Sequence, residues 1–422
     1  MGFHEVLSDK LDDGKTSVID TQVLTTTKGQ DNLPRFFEST FRVVQRLRRG
    51  RLDISLPDGR IFRAEGPEPG PVGRLDVSNT DVFARAVREG DLGVPEAYMD
   101  GWWDTPDLQA LLDVMMANTV EVIRGMPGMS LVRMYERMRF WLQSNSKSQA
   151  KRNISYHYDL GNDFYGLWLD DTMTYSSALF TDWQESLETA QTRKYASMCD
   201  RIGVQPGDHI LEIGCGWGGF AEYAARERGA HVTGLTISQQ QHDYARERIA
   251  RAGLSDRVSI EMRDYRDERG TYDGIASIEM FEAVGERYWP TYFNAVRERL
   301  KPGSKGVFQI ITMPDELFPT YRKSVDFIQK YIFPGGMLPC DSVLRTQIAD
   351  AGLRLDGTFE FGLSYSETLR RWHERFNAQW ERIAEMGFDD RFQRMWNFYL
   401  TSCAASFQTG VTDVTQVTVS RP

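Results

Sequence analysis

The sequence LEIGCGWGG at residues 211–219 runs from a short apolar segment into a turn that contains Gly214, Gly216, Gly218 and Gly219. Glycine lets the backbone approach a ligand closely, and the start of a following helix offers free N–H groups. The stretch therefore predicts a ligand-binding turn between a strand and a helix. A glycine turn alone is weak evidence of the ligand, because dinucleotide-binding enzymes use a similar arrangement.

The end of the next predicted strand narrows the class of ligand. In nicotinamide-dependent enzymes an acidic residue about 20 positions after the glycine turn binds the ribose hydroxyls. Here GLTISQQQ, residues 234–241, offers Thr236, Ser238 and Gln241 but no carboxylate. The sequence therefore disfavours a nicotinamide enzyme.

Beyond residue 200, short apolar segments alternate with helical ones. The apolar segments are HILEIG, AHVTGLT, RVSIEM, YDGIASI and GVFQII. This alternation predicts an α/β fold in which helices cover both faces of a mostly parallel sheet. We expect the β-branched segment VTDVTQVTVS at residues 411–420 to return as an edge strand.

The first third of the chain has a different texture. Residues 35–75 read as short strands and turns, and residues 81–143 as helices with Asp81 and Asp107 as caps. The polar stretch NSKSQAKRN at residues 145–153 resembles a linker. We therefore predict an α+β accessory domain over residues 1–145, for membrane association or dimerisation, and a catalytic domain over residues 146–422.

Composition excludes several classes of protein. The net charge of −10 argues against nucleic-acid binding, and the four isolated cysteines support neither a disulfide framework nor a metal site. Without a long apolar run or a signal peptide, we expect a soluble, cytoplasmic protein. The basic stretch FRVVQRLRRGR at residues 41–51 could contact anionic lipid headgroups or form a solvated face.

Several further motifs resemble those of the cyclopropane fatty acid synthase family, which includes the mycolic acid cyclopropane synthases. Besides LEIGCGWGG and TISQQQ, they are YHYDLGNDFY, MTYSSALF, RDYRD, MFEAVG, KYIFPGGMLP and, near the N-terminus, LGVPEAYMDGWWD. The resemblance implies a class I, Rossmann-like methyltransferase with a seven-stranded sheet that uses S-adenosylmethionine (SAM). It also implies unsaturated phospholipids as substrates, a homodimer, and a location at the inner face of the membrane.

The resemblance also implies roles for individual residues. The positions that correspond to SAM contacts are Tyr175, Ser176, Gly214, Gly216, Thr236, Gln241 and Tyr265, and Asp264 could accept the amino hydrogens of adenine. An aromatic acyl pocket is expected to exclude water and to stabilise a carbocation. Its predicted lining is Tyr158, Phe164, Tyr165 and Trp168.

The family's ring-forming members are thought to use a bound bicarbonate ion as the base. The resemblance assigns its ligands to Glu282, Tyr365 and the backbone N–H of Ser177. This chain departs from the family pattern at Ile311, where histidine is expected, and at Met313, Ala283 and Glu279. Either bicarbonate is still held, or a carboxylate such as Glu282 or Glu279 serves as the base.

Two products follow from these alternatives. Loss of a proton from the new methyl group closes a cyclopropane ring, whereas loss from another carbon leaves a methyl-branched alkene. The lost histidine favours the open chain. A methyltransferase acting on a small amine or hydroxyl, and a catalytically inactive lipid-binding protein, are the competing interpretations of the same sequence.

Overall fold

The computed structural model describes residues 23–119, 149–150 and 160–422. The predicted boundary between residues 145 and 146 lies outside the described residues, as does Tyr158. Within the described ranges, no helix is both long enough and apolar enough to cross a bilayer.

The N-terminal part folds around a small five-stranded sheet. Its strands are β1 (Val23–Leu24), β2 (Arg49–Ser55), β3 (Ile61–Glu65), β4 (Glu68–Val77) and β5 (Trp103–Asp104), in the order β1-β3-β2-β4-β5. Its helices are α1 (Phe37–Val44), α2 (Asp81–Glu89), α3 (Gly93–Met99) and α4 (Leu108–Ala117). Rings of Phe37, Phe41, Phe62 and Phe83 pack together at its centre. The predicted strands are confirmed from Arg49 to Val77, and the predicted helices at α2, α3 and α4. Two elements differ from the prediction: α1 is a helix where strands and turns were expected, and β5 is a short strand within the region predicted to be helical.

The two predicted helix caps in this part have different outcomes. Asp107 caps α4 as predicted, because its carboxylate accepts the N–H of Ala110 at 2.9 Å. Asp81 is not a cap, since it is the first helical residue of α2 and its own N–H is bound by the Asn79 side chain. The basic stretch at residues 41–51 runs from the last turn of α1, which ends at Val44, into β2, which begins at Arg49.

The C-terminal part is built on a seven-stranded sheet. Its strands are β6 (His209–Ile213), β7 (His231–Thr236), β8 (Val258–Met262), β9 (Tyr272–Ile278), β10 (Leu300–Thr312), β11 (Arg354–Glu360) and β12 (Asp413–Ser420). They lie in the order β11-β12-β10-β9-β6-β7-β8, and the run from β10 to β8 is parallel. The predicted mostly parallel α/β fold is confirmed. The expected edge position of the last strand is wrong, because β12 lies between β10 and β11 and pairs antiparallel with both.

Helices cover both faces of this sheet. They are α5 (Asn162–Trp168), α6 (Leu187–Ile202), α7 (Gly219–Arg228), α8 (Gln239–Arg251), α9 (Trp289–Arg299), α10 (Phe318–Tyr321), α11 (Phe327–Tyr331), α12 (Asp341–Asp350), α13 (Gly362–Ala378), α14 (Trp380–Glu385) and α15 (Asp390–Thr409). Ile210 packs in one apolar cluster with α6, α7 and α8, and its neighbour Leu211 packs in another with α9 and α12. Successive strand residues point to opposite faces, so each face of the sheet has its own core.

A buried ionic cluster joins the two parts of the chain. Glu96 on α3 accepts hydrogen bonds from Lys330 and Tyr331 on α11, both at 2.8 Å, and from Arg85 at 2.7 Å. Burial disfavours the charge of Glu96, but its three partners outweigh that effect and lower its pKa. The segment after α11 carries Phe333, whose ring lies 6.4 Å from that of Tyr175.

We predict that Glu96→Gln destabilises the protein by about 2–3 kcal/mol, because Lys330 then loses its buried counter-charge and Arg85 loses one of its three carboxylate partners. Urea unfolding measures this change in the free energy of unfolding. The control is Arg345→Met, which breaks an exposed ion pair with Asp341 and should cost no more than about 0.5 kcal/mol. Equal effects of the two variants would contradict a specific role for the buried cluster.

Candidate active site

The glycine turn after β6 lies at the carboxyl end of the parallel strands, where α/β proteins bind ligands. Gly214 has φ +80°, and a Cβ there would lie 2.7 Å from Cγ of Met280. Gly216 has φ +51°, and a Cβ there would meet nothing within 4 Å. Gly218 precedes α7, so the turn combines open space with the free N–H groups of a helix start.

Thr236 and Gln241 lie at the end of the neighbouring strand β7. The Thr236 hydroxyl donates to Oε1 of Gln241 at 3.0 Å, and Ser238 caps α8 through the N–H of Gln241. No carboxylate of residues 234–241 competes with them. This pair can offer hydroxyl and amide hydrogen bonds to ribose, as the sequence predicts.

Asp264 and Tyr265 follow β8. Both carboxylate oxygens of Asp264 accept hydrogen bonds from Arg266, at 2.8 and 2.6 Å, so an adenine amino group would have to share them. The Tyr265 ring packs edge-on against Tyr292 at 5.4 Å. The assigned roles of both residues in binding adenine remain predictions.

Tyr175 and Ser176 lie on a segment that is held by α6. Lys194 donates to the Ser176 hydroxyl at 2.6 Å and to Oε1 of Gln191 at 2.7 Å, while Gln191 donates to the carbonyl of Ser176 at 2.9 Å. Lys194 is fully buried, and burial lowers its pKa to about 7 against the opposing charge of Glu279. Sequence reasoning missed Lys194, although a lysine on a buried helix face is a recognisable signal.

Glu279 is the most constrained carboxylate of the site. It has φ +52°, a left-handed conformation that is costly for a residue with a side chain. Its Oε1 accepts the N–H of Ser177 and the Nε2 amide of Gln309, both at 2.8 Å. Its Oε2 accepts the hydroxyl of Tyr365 at 2.6 Å. Burial raises the pKa of Glu279, and hydrogen bonds from Tyr365 and Gln309 oppose that rise.

Glu282 lies on the turn Phe281–Ala283, which follows Glu279 closely. Its Oε1 accepts the N–H of Ile311 at 2.5 Å, and its buried Oε2 has no hydrogen-bond partner among the described residues. Burial, reinforced by the charge of Glu279, raises the pKa of Glu282 to about 8. The pKa near 8 favours the protonated form of Glu282 at neutral pH, whereas the three donors to Glu279 favour the charged form of that carboxyl.

This geometry differs from the one the resemblance implies. Ser177 and Tyr365 were assigned to a bicarbonate ion together with Glu282, but both contact the carboxylate of Glu279 instead. The backbone N–H of Ile311 donates a hydrogen bond to Glu282. Met313 donates its N–H to the Pro339 carbonyl and forms a β-bridge with Cys340. Gln309 was missed because nothing in an apolar strand sequence shows which side chain a buried amide will meet.

The predicted acyl-pocket residues belong to a large aromatic cluster. Phe164, Tyr165 and Trp168 on α5 are fully buried, and the ring of Tyr165 lies 5.4 Å from that of Tyr175. Trp168 also packs 5.8 Å from Trp372 on α13. The structure therefore brings these residues next to the segment predicted to bind SAM, and their contact with a substrate also remains a prediction.

The fold and the glycine turn define a class I SAM-dependent methyltransferase. Two solved structures support this class. The cyclopropane synthase MmaA2 from Mycobacterium tuberculosis is 28% identical with a TM-score of 0.60, covering 64% of this chain and 97% of that one. The mycolic acid cyclopropane synthase CmaA1, complexed with SAH and CTAB, matches with the same values.

The chain belongs to the mycolic acid cyclopropane synthetase family, because the sequence model of that family matches residues 145–417. It is 41% identical to the tuberculostearic acid methyltransferase UfaA1 of Mycobacterium tuberculosis, over 82% of this chain and 83% of the relative. It is 36% identical to the cyclopropane-fatty-acyl-phospholipid synthase of Escherichia coli, over 87% and 96%. The chain is thus a SAM-dependent methyltransferase of this family.

We predict that Gly216→Ala weakens SAM binding at least ten-fold, because its Cβ enters the open space of the turn. Calorimetric titration with SAM measures the dissociation constant. Gly203→Ala is the matched control, since Gly203 also has positive φ and open space around it but lies at the end of α6. Both variants should lose about 1 kcal/mol of stability from the backbone. Similar SAM affinity in the two would contradict the assignment of Gly216.

Proposed function

We propose that this enzyme methylates a double bond in the acyl chain of an unsaturated phospholipid and releases an open-chain, methylated alkene. The observation that carries the proposal is the position of the Glu279 carboxylate. It is bound by the two donors, Ser177 N–H and Tyr365 hydroxyl, that would otherwise hold a bicarbonate ion. The base is then part of the chain.

The lipid substrate is supported by the relatives and by the aromatic cluster. One relative is named for a phospholipid substrate and another for a branched fatty acid. An alkene is a weak nucleophile, and its methylation needs a water-free pocket in which aromatic faces stabilise a cation. The rings around Tyr175, including Tyr165, Trp168 and Trp372, could supply that surface.

SAM would supply an electrophilic methyl group: as the π electrons of the alkene form a new carbon–carbon bond to it, its bond to sulfur breaks and that electron pair leaves with S-adenosylhomocysteine. The neighbouring chain carbon becomes a cation, which the ionised Glu279 stabilises by its charge. Glu279 then accepts a proton from a carbon bonded to the cationic centre, and the electrons of that C–H bond form a new double bond. Glu282 stays protonated and so does not compete as a base.

We predict that Glu279→Gln lowers turnover at least 100-fold while SAM affinity changes no more than a few-fold, because general base catalysis contributes roughly 100- to 10,000-fold. The assay uses methyl-labelled SAM with unsaturated phospholipid vesicles, followed by mass spectrometry of the lipids. Mild hydrogenation should add two hydrogens to the product of the wild-type enzyme. A product that resists hydrogenation would be the cyclopropane alternative, and label found only in a water-soluble product would exclude a lipid substrate.

A second prediction concerns the double variant Glu279→Gly with Ile311→His. Glycine frees the donors of Ser177 and Tyr365 and suits the positive φ, while histidine adds a side-chain ligand for an anion. Added bicarbonate should restore activity to this variant and shift its product towards the cyclopropane. Ile311→His alone, which retains Glu279, is the control and should stay independent of bicarbonate. No response of the double variant to bicarbonate would argue against an anion site at this position.

We also propose that residues 1–145 act as an accessory domain that holds a homodimeric enzyme at the cytoplasmic surface of the membrane. Arginines 42, 46, 48 and 49 are exposed around the junction of α1 and β2. Arg42 pairs with Glu38, and Arg48 and Arg49 pair with Glu68. Exposed pairs are weak, so these arginines can exchange their partners for lipid phosphates.

We predict that Arg46→Ala weakens binding to anionic vesicles about five-fold, which corresponds to about 1 kcal/mol for one cation near the surface. Co-sedimentation with vesicles measures the effect, and Arg345→Ala, on the exposed face of α12, is the control. Neutral vesicles should not distinguish the variants. Equal binding of Arg46→Ala and wild type to anionic vesicles would contradict this surface.

A further inference from the structure

A chain of buried amides leads from α6 to Glu279. Gln309 on β10 donates through Nε2 to Glu279 Oε1 at 2.8 Å and accepts at Oε1 from Nε2 of Gln416 at 3.2 Å. Gln416 on β12 accepts at its own Oε1 from the Ser197 hydroxyl at 2.7 Å and from Nε of Arg201 at 3.1 Å. Both glutamines are fully buried. We call Arg201, Gln416 and Gln309 the amide relay.

The relay has a direction, which the chemistry of its first member sets. A glutamine amide can turn either its NH₂ or its carbonyl to a neighbour, whereas a guanidinium can only donate. Arg201 therefore requires Gln416 to present its carbonyl to α6 and its NH₂ to Gln309. The same logic turns the carbonyl of Gln309 to Gln416 and its NH₂ to Glu279.

The direction matters because Gln309 is the only one of the three donors to Glu279 that could reverse. The N–H of Ser177 belongs to the backbone and can only donate. The Tyr365 hydroxyl donates to Glu279, and the described residues show no other acceptor for it. A reversed Gln309 would place its carbonyl oxygen against the carboxylate. That arrangement repels the ionised form and favours the protonated form, which is inactive as a base.

We propose that Gln309, oriented by Gln416 and Arg201, is a positioning residue that keeps Glu279 ionised for proton abstraction. The proposal rests on the proposed role of Glu279 as the base. Three other titratable groups face Glu279: Lys194 on α6, Glu282 on the following turn and Tyr365 on α13. Within the described residues Lys194 donates hydrogen bonds to Ser176 and Gln191, and it acts on Glu279 through its electric field.

The test is the pH dependence of kcat/KM with unsaturated phospholipid vesicles and saturating SAM. Activity requires ionised Glu279, so it is lost as the pH falls through the pKa of that carboxyl. Removing a donor to the charged form raises this pKa, so the acid limb should move to higher pH. We expect a shift of about one pH unit for Gln309→Leu.

Variants at the other residues of the relay distinguish an effect of amide orientation from an effect of side-chain packing. Arg201 is only half-buried and tolerates exchange better than a core residue does. Arg201→Gln, which can present either end of an amide, should shift the acid limb in the same direction as Gln309→Leu but less. Arg201→Lys, which can only donate, should retain the wild-type limb. Gln309→Leu with Gln416→Leu should shift no further than Gln309→Leu alone, because the relay acts through Gln309.

The matched control is Thr415→Val, next to Gln416 on β12. The Thr415 hydroxyl is buried and has no hydrogen-bond partner in the described part of the chain, so its loss should leave the pH profile unchanged. A uniform fall of activity at all pH values in Gln309→Leu, without a shift of the limb, would overturn the proposal. If Glu279→Gln remained active, the base itself would be misassigned. If Glu279→Gln were inactive and the limb of Gln309→Leu unshifted, only the relay would fail.

Discussion

A buried carboxylate must be surrounded by hydrogen-bond donors, and in this enzyme that requirement organises the active site around Glu279. The side chain leaves the end of β9 from a left-handed backbone conformation, which costs of order 1–3 kcal/mol. Its donors come from three places that are distant in sequence: the segment at Ser177, strand β10 and helix α13. The carboxylate thus ties the sheet to the helices that cover its carboxyl edge. Two of these donors are held by further hydrogen bonds: Gln309 accepts one from Gln416, and the segment at Ser177 is held through the bond from Gln191 to the Ser176 carbonyl.

The second carboxylate, Glu282, supports the choice of Glu279 as the proposed base. Glu282 is three positions from Glu279 and receives one hydrogen bond from the Ile311 backbone where Glu279 receives three. Two buried carboxylates at close range cannot both be ionised without a large energetic cost. The difference in donors therefore favours the charged form of Glu279 and the protonated form of Glu282. The sequence predicts that both residues belong to the site, but it does not show which of them accepts the hydrogen bond of the Tyr365 hydroxyl.

The sequence predicted the architecture because it depends on local patterns. Alternating apolar segments and the glycine turn specify the parallel sheet and its ligand-binding edge, and Asp107 is read correctly as a cap. Predictions that depend on pairing between distant segments were less complete. The position of β12 inside the sheet is set by its pairing with both β10 and β11, which the segment at residues 411–420 does not reveal. Gln309 and Lys194 were not predicted for the same reason, since the role of a buried polar residue depends on partners that are remote in sequence.

A base within the chain, as we propose for Glu279, changes how the enzyme must reset after each turnover. A bicarbonate ion can leave with its proton, whereas a protonated Glu279 remains in place. The interaction between the two carboxyls provides part of the answer, because coupling between titrating sites is reciprocal. The charge of Glu279 raises the pKa of Glu282, so neutralising Glu279 must lower it again. The proton taken from the substrate thus favours release of a proton from the pair. Burial remains the largest cause of the raised pKa of Glu282, so the coupling assists release of a proton from the pair without removing the cost of burying a charge.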